Sequence, residues 1–141
     1  MIDVIGNIDK EDKLYYLASP YSAESTLIRE DRYQKVDKAA AVLFKAGVNT
    51  VNPIGSCHQL SKLYKLPSGY KEWQTRDRML ISRCDGVIVL DIDGWSKSVG
   101  VADEIEYAVS LGLEIIHLHP KDVFTDEEMR HYGWNEYRIM R

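Results

Sequence analysis

Apolar residues recur along this 141-residue chain with a short run period and a helical period in alternation, and that alternation sets out the elements. Leu14-Tyr15-Tyr16-Leu17-Ala18 is a continuous apolar run closed by Ser19-Pro20-Tyr21-Ser22, which predicts a first strand and a loop after it. From about Thr26 to Ala46 the positions Tyr33, Val36, Ala40, Leu43 and Phe44 keep helical spacing, and Gly47 supplies the stop. Val48 to Val51 predicts a short second strand ended by Asn52-Pro53, whereas Gly55 to Ser68 follows neither period. A helix is expected over roughly Tyr70 to Arg83, then a strand at Val87-Ile88-Val89-Leu90 that is β-branched and uninterrupted, as in a parallel sheet buried on both faces. A third long helix follows Ser98 and stops at Gly112, and Glu114 to Leu118 is a fourth strand ended by Pro120. Thr125 and Glu128 fit a capping box, which predicts a short last helix. The polar residues before Leu14 are expected to be loose.

Strands alternating with helices imply an α/β fold, a single-domain doubly wound (Rossmann- or flavodoxin-like) parallel sheet of four to five strands flanked by helices, spanning residues 1–141. Ligands of such sheets bind beyond the carboxyl ends of the strands. That rule gathers Tyr16 and Ser19, the stretch from Asn52 to His58, and the stretch from Asp91 to Glu104 on one rim.

Composition narrows the class of partner. With 45% hydrophobic and 28% charged residues, no apolar run of membrane-spanning length and no basic-apolar leader, the chain is expected to be soluble and cytoplasmic, with no membrane partner. A net charge of -4 without a Lys/Arg cluster argues against a nucleic acid polymer and for a small molecule. Cys57 and Cys84 lack metal-ligand spacing and read as thiols, so neither a metal nor a cofactor is expected. Tyr132, Trp134 and Tyr137 form an aromatic tail that one small domain cannot wholly bury, which points to a homo-oligomer, a dimer or tetramer.

The densest chemistry lies between Gly86 and Ala108. Ser98 and Gly100 are small enough for a ligand to approach the backbone, at the positive end of the helix that follows. Glu104 falls beside Val101, Ile105 and Ala108 on the face turned to the sheet, and Asp77 interrupts an apolar stripe of Trp73, Leu80, Ile81 and Cys84. A carboxylate in such a place needs a partner or a polar pocket. Asp85 reads as a turn cap or a site residue, and Asp103 and Glu106 are expected to face solvent. Two inward carboxylates from different helices suit glycosyl chemistry, with Glu104 as nucleophile, Asp77 managing protons, and Tyr16 either orienting Glu104 or simply packed in the core.

Tyr16-Leu17-Ala18-Ser19-Pro20, the arginines of Arg29-Glu30-Asp31-Arg32, Asp77 with Asp85, and Ser98-Val-Gly-Val-Ala-Asp-Glu104 together resemble the nucleoside 2-deoxyribosyltransferase superfamily, over roughly Leu14 to Pro120. The resemblance is nearest to a small branch reading Ala-Ser-Pro-Tyr-Ser early and Gly-Trp-x-x-Ser-x-Gly before the glutamate. It implies Glu104 forming a covalent deoxyribosyl intermediate, Asp77 handling the base and Tyr16 orienting Glu104. Ser98 stands where the transferases have aspartate and the deoxynucleoside 5′-monophosphate glycosidases have serine. With Arg29 or Arg32 it could therefore bind a 5′-phosphate, and the substrate implied is a nucleoside or its 5′-monophosphate. Ser19, Gly100, His58 and Trp95 complete the expected substrate wall, with backbone bonding open for His58 and packing open for Trp73 and Trp95. Ala18-Ser19-Pro20 replaces a glycine-containing turn of the transferases, and Asp103 stands where an apolar residue is frequent. The same rim also suits a non-catalytic nucleotide-binding module or a hydrolase of another nucleotide such as NAD, although the Pro-Gly-Gly signature of the phosphoribohydrolases is absent.

Overall fold

A computed structural model describes residues 3–67 and 69–131. Its elements run β1 (Leu14–Ala18), α1 (Thr26–Lys45), β2 (Asn49–Val51), α2 (Pro53–Tyr64), α3 (Tyr70–Ser82), β3 (Gly86–Leu90), a 3-10 turn (Trp95–Lys97), α4 (Val99–Ser110), β4 (Glu114–Leu118), α5 (Pro120–Val123) and α6 (Asp126–His131). The four strands are all parallel in the order β2-β1-β3-β4, at the lower end of the four to five expected. The direction of winding therefore reverses between β1 and β3, and the carboxyl ends of those two strands open the crevice that such sheets use for ligands.

Strand residues alternate between two cores. Tyr15, Leu17, Ile88, Leu90 and Leu118 pack with Val36, Ala39 and Leu43 of α1 and with Val123 of α5 and Met129 of α6. Tyr16, Ala18, Val87 and Val89 face the other way, onto Ile81 of α3 and Val101 and Ala108 of α4. Every residue of β3 is buried, as its uninterrupted apolar run requires of a central strand. Glycines sit where helices end: Gly47 (φ 85°) follows α1 and Gly112 (φ 75°) follows α4. The capping box at α6 is present in full, with Thr125 N–H donating to Glu128 Oε1 at 2.9 Å and Glu128 N–H to Thr125 Oγ1 at 3.1 Å.

Two segments differ from the sequence reading. The region without a clear period is α2, whose start is fixed by Asn52 accepting from the Gly55 N–H at 3.0 Å with Pro53 in the first turn. Its Leu60, Leu63 and Tyr64 are exposed, so no apolar stripe announces it. The N-terminal segment expected to be loose is tied down: Ile8 is buried, Val4 and Ile5 pack against the same core, Tyr15 Oη donates to Asp9 O at 2.7 Å, and Lys10 Nζ donates to the carbonyls of Ile5 and Ile8. Among the described residues no helix is long and apolar enough to cross a membrane. The tail residues Tyr132, Trp134 and Tyr137 lie outside the described residues.

Because Ile8 is buried in the core that also holds Val36 and Leu43, Ile8→Ala should lower unfolding free energy by about 2–3 kcal/mol in urea denaturation, as for other buried large-to-small changes. A loss below about 0.5 kcal/mol, the range of ordinary surface substitutions, would return the segment to the loose reading.

Candidate active site

One cavity of about 850 Å³ opens over the carboxyl ends of the strands and collects residues from several segments. Tyr16 and Ser19 come from β1 and its end, Tyr21 and Ser22 from the loop that follows, Arg32 from α1, and Cys57 and His58 from α2. Tyr70, Trp73 and Asp77 come from α3, and Lys97, Ser98, Gly100 and Glu104 from the turn after β3 and from α4.

At the floor Tyr16 Oη donates a hydrogen bond to Glu104 Oε2, both groups almost wholly buried. Glu104 reaches this position because Val101, Glu104 and Ala108 share the sheet-facing stripe of α4. Asp77 enters from α3 on the stripe it shares with Ile81. Its Oδ1 lies 3.7 Å from Arg76 Nη1, too far for a hydrogen bond. Among the described residues, two buried side-chain polar atoms have no hydrogen-bond partner, Asp77 Oδ1 and Ser19 Oγ, and both residues line this cavity. Buried polar atoms are almost always paired, so this pairing of orphans marks a place built for a ligand.

Burial decides the protonation of the two carboxyls. It pushes Glu104 up to about 8, against the hydrogen bond from Tyr16 that favours the ionised form, and the charge of Asp77 pushes in the same direction as burial. Burial likewise raises Asp77 to about 6, opposed by Arg76 and by the Tyr16 hydroxyl. Between about pH 6 and pH 8 the pair holds a single proton. The Tyr16 phenol is raised well above its usual range by burial and by both carboxylates, so it remains a donor.

The upper wall is cationic. Ser98 caps α4 by accepting from the Val101 N–H at 3.1 Å, which leaves its own hydroxyl proton free to donate beside the first N–H groups of the helix. Arg32 Nη1 donates to Ser22 O at 2.9 Å, and its guanidinium lies against Gly94. Lys97, Lys71 and Arg76 also line the opening.

Several expected roles change. Arg29 does not line the cavity; its guanidinium turns back to the carbonyls of Ala23 and Glu24, which a loop entering a helix leaves unpaired. Trp95 is also outside the wall, packed against the α3/α4 core with its ring edge-on to His117, whereas Trp73 does line it. Gly100 serves a protein side chain: a Cβ there would come within 2.9 Å of the Tyr70 ring. Asp103 is not solvent-facing; it pairs with Arg78 Nη2 at 2.5 Å and accepts from Tyr70 Oη at 2.9 Å, fixing Tyr70 over the entrance of α4. Asp85 is structural, its carboxylate accepting from the Leu14 N–H at 2.8 Å. His58 lies on a helix and bonds side chains, Tyr21 Oη at 2.7 Å and Glu30 Oε2 at 2.5 Å. Tyr70 went unnoticed in the sequence, where its only signal was the small residue opposite it at Gly100. Both cysteines are free thiols, and among the described residues no cluster could hold a metal ion.

Residues 13–119 match the family described as Domain of unknown function (DUF1937), and the chain belongs to it. No curated protein matches the chain in sequence.

A carboxyl whose pKa rises on folding holds its proton more tightly in the native state. The contribution of Glu104 is therefore full below its ordinary value of 4.5 and lost as pH rises through about 8. Glu104→Gln removes that loss, so at pH 8 thermal and urea unfolding should find the variant more stable than wild type by about 1–4 kcal/mol, with the difference shrinking towards pH 5. A variant less stable than wild type at pH 8 would contradict burial as the main influence on this carboxyl.

Proposed function

We propose that this DUF1937 member cleaves the N-glycosidic bond of a deoxynucleoside or, more favourably, of its 5′-monophosphate, through a covalent glycosyl ester on Glu104. The observation that carries the reading is the buried Tyr16, Glu104 and Asp77 constellation with an orphaned Asp77 oxygen in a cavity of nucleotide size. The sequence resemblance to the nucleoside 2-deoxyribosyltransferases supports it independently.

In this reading Glu104 attacks C1′ as the C1′–N bond breaks. The bonding electrons leave with the base, and Asp77 in its acid form supplies the proton to that base. The free pair shares one proton at neutral pH, so the reactive state places that proton on Asp77 without changing the charge of the site. Positive charge developing on the sugar favours the ionised Glu104, and the Tyr16 hydroxyl, bonded to Glu104 and acting on Asp77, holds the nucleophile in place. Water then adds to C1′ and gives its proton to the Asp77 carboxylate as the ester bond to Glu104 breaks. A second base in place of water makes the enzyme a transferase. Arg32, Lys97, Ser98 and the α4 N-terminus form the natural seat for the 5′-phosphate.

Chromatographic detection of free base from deoxynucleosides and their 5′-monophosphates, with and without an acceptor base, tests the reading. Wild type should release base, and Glu104→Ala should lose about 10³-fold or more in rate. Activity surviving that substitution unchanged overturns the mechanism. Because cleavage needs one proton on the pair, kcat/KM should rise to a plateau above about pH 6 and fall again above about pH 8. A rate that is flat from pH 5 to 9 contradicts the shared proton.

A further inference from the structure

The glycosyl reading leaves one cluster, built around a buried histidine, unused. His58, only 7% exposed, lies flat on the Tyr33 ring with centroids 4.0 Å apart, and its two nitrogens are both engaged. Nε2 is 2.5 Å from Glu30 Oε2 on α1, and Nδ1 is 2.7 Å from Tyr21 Oη in the loop after β1. Tyr21 and His58 both line the cavity, on the side of α2. Three elements, α1, α2 and the β1 loop, thus meet through a single imidazole.

For a neutral imidazole the partners fix the direction of each hydrogen bond. Glu30 is held below the usual carboxylate range, chiefly by its bond to His58, and an ionised carboxylate can only accept. Nε2 therefore carries the proton, and in the neutral ring Nδ1 is left as an acceptor. To that neutral ring Tyr21 donates its hydroxyl proton at Nδ1. The phenol oxygen then has lone pairs and no proton to offer a ligand.

We propose that Glu30, His58 and Tyr21 form a specificity relay that presents the Tyr21 oxygen to the cavity as an obligate hydrogen-bond acceptor, selecting nucleobases with an exocyclic amine over bases lacking one. The inference rests on the nucleotide reading of the cavity given above. Tyr21 touches the substrate, whereas His58 and Glu30 act through it as positioning residues. A buried acceptor facing a base without a donor is left unpaired, and such mismatches discriminate more strongly than a missing methyl group does.

Calorimetric binding in the full chain carrying Glu104→Gln separates recognition from turnover. The probes are 2′-deoxyadenosine 5′-monophosphate against purine 2′-deoxyriboside 5′-monophosphate, and 2′-deoxycytidine 5′-monophosphate against its 2-pyrimidinone analogue. In at least one pair the amine-bearing nucleotide should bind about fivefold or more tightly. Adding Tyr21→Phe should bring that ratio close to one. Glu30→Gln, whose amide can donate and so releases the ring tautomer, should do the same without moving the unfolding midpoint, which a purely structural role would not produce. Equal binding within both pairs, a preference that survives Tyr21→Phe, or failure of all the probes to bind overturns the relay. Base release by wild type without an amine preference defeats the relay and leaves the glycosyl reading standing. An amine preference without base release supports the relay and counts against the chemistry.

Discussion

Two carboxyls and a phenol buried within reach of one another form the constraint on which the site depends. Water would screen them, but the cavity floor is formed by Tyr16 of a central strand and by two helix faces that otherwise bury only apolar side chains. Desolvation therefore dominates and the pair settles at one proton near neutral pH. A stable fold has no use for such a pair. Two apolar residues of similar size would fill the same space at lower cost, so its presence argues for chemistry there.

The rest of the structure can be understood as support for that floor. The winding reversal between β1 and β3 opens the crevice. Val101 and Ala108 anchor α4 so that Glu104 points inward, and Ile81 does the same for Asp77 on α3. Asp103 ties α4 to α3 through Arg78 and Tyr70, holding the two carboxylate-bearing helices at a fixed separation. On the opposite wall His58 binds the β1 loop to α1 and α2. The cavity is thus walled by cross-linked elements, which favours recognition by a preformed surface over closure of a loop.

Much of this was legible from residue patterns. The central strands announced themselves through continuous apolar runs, β-branched in β3, and Glu104 and Asp77 stood out because each breaks an apolar stripe at helical spacing. Other features left no local trace. The α2 helix carries exposed Leu60, Leu63 and Tyr64, so its apolar residues do not segregate to one face, and its start rests on the Asn52 cap, which the following proline made look like a strand end. Arg29 and Arg32 are alike in sequence, three residues apart on one helix, and only the fold decides that Arg32 meets the cavity while Arg29 closes its own loop. Val4, Ile5 and Ile8 are spaced among polar residues over too few positions to set a strand or helix period, so no periodicity could show that the core had space for Ile8. The His58 cluster joins residues 21, 30, 33 and 58, a proximity that arises only from packing α1 against α2.

The claim most open to direct attack is that Glu104 becomes covalently bonded to the sugar. A deoxynucleoside 5′-monophosphate carrying fluorine at the sugar 2′ carbon slows release of such an ester by destabilising the positive charge that forms on the sugar. After incubation and proteolysis, mass spectrometry should find the fluorosugar phosphate attached to the peptide containing Glu104, and should find none in Glu104→Gln. Base release from the unsubstituted nucleotide with no adduct on that peptide, or an adduct on another residue, would contradict the account.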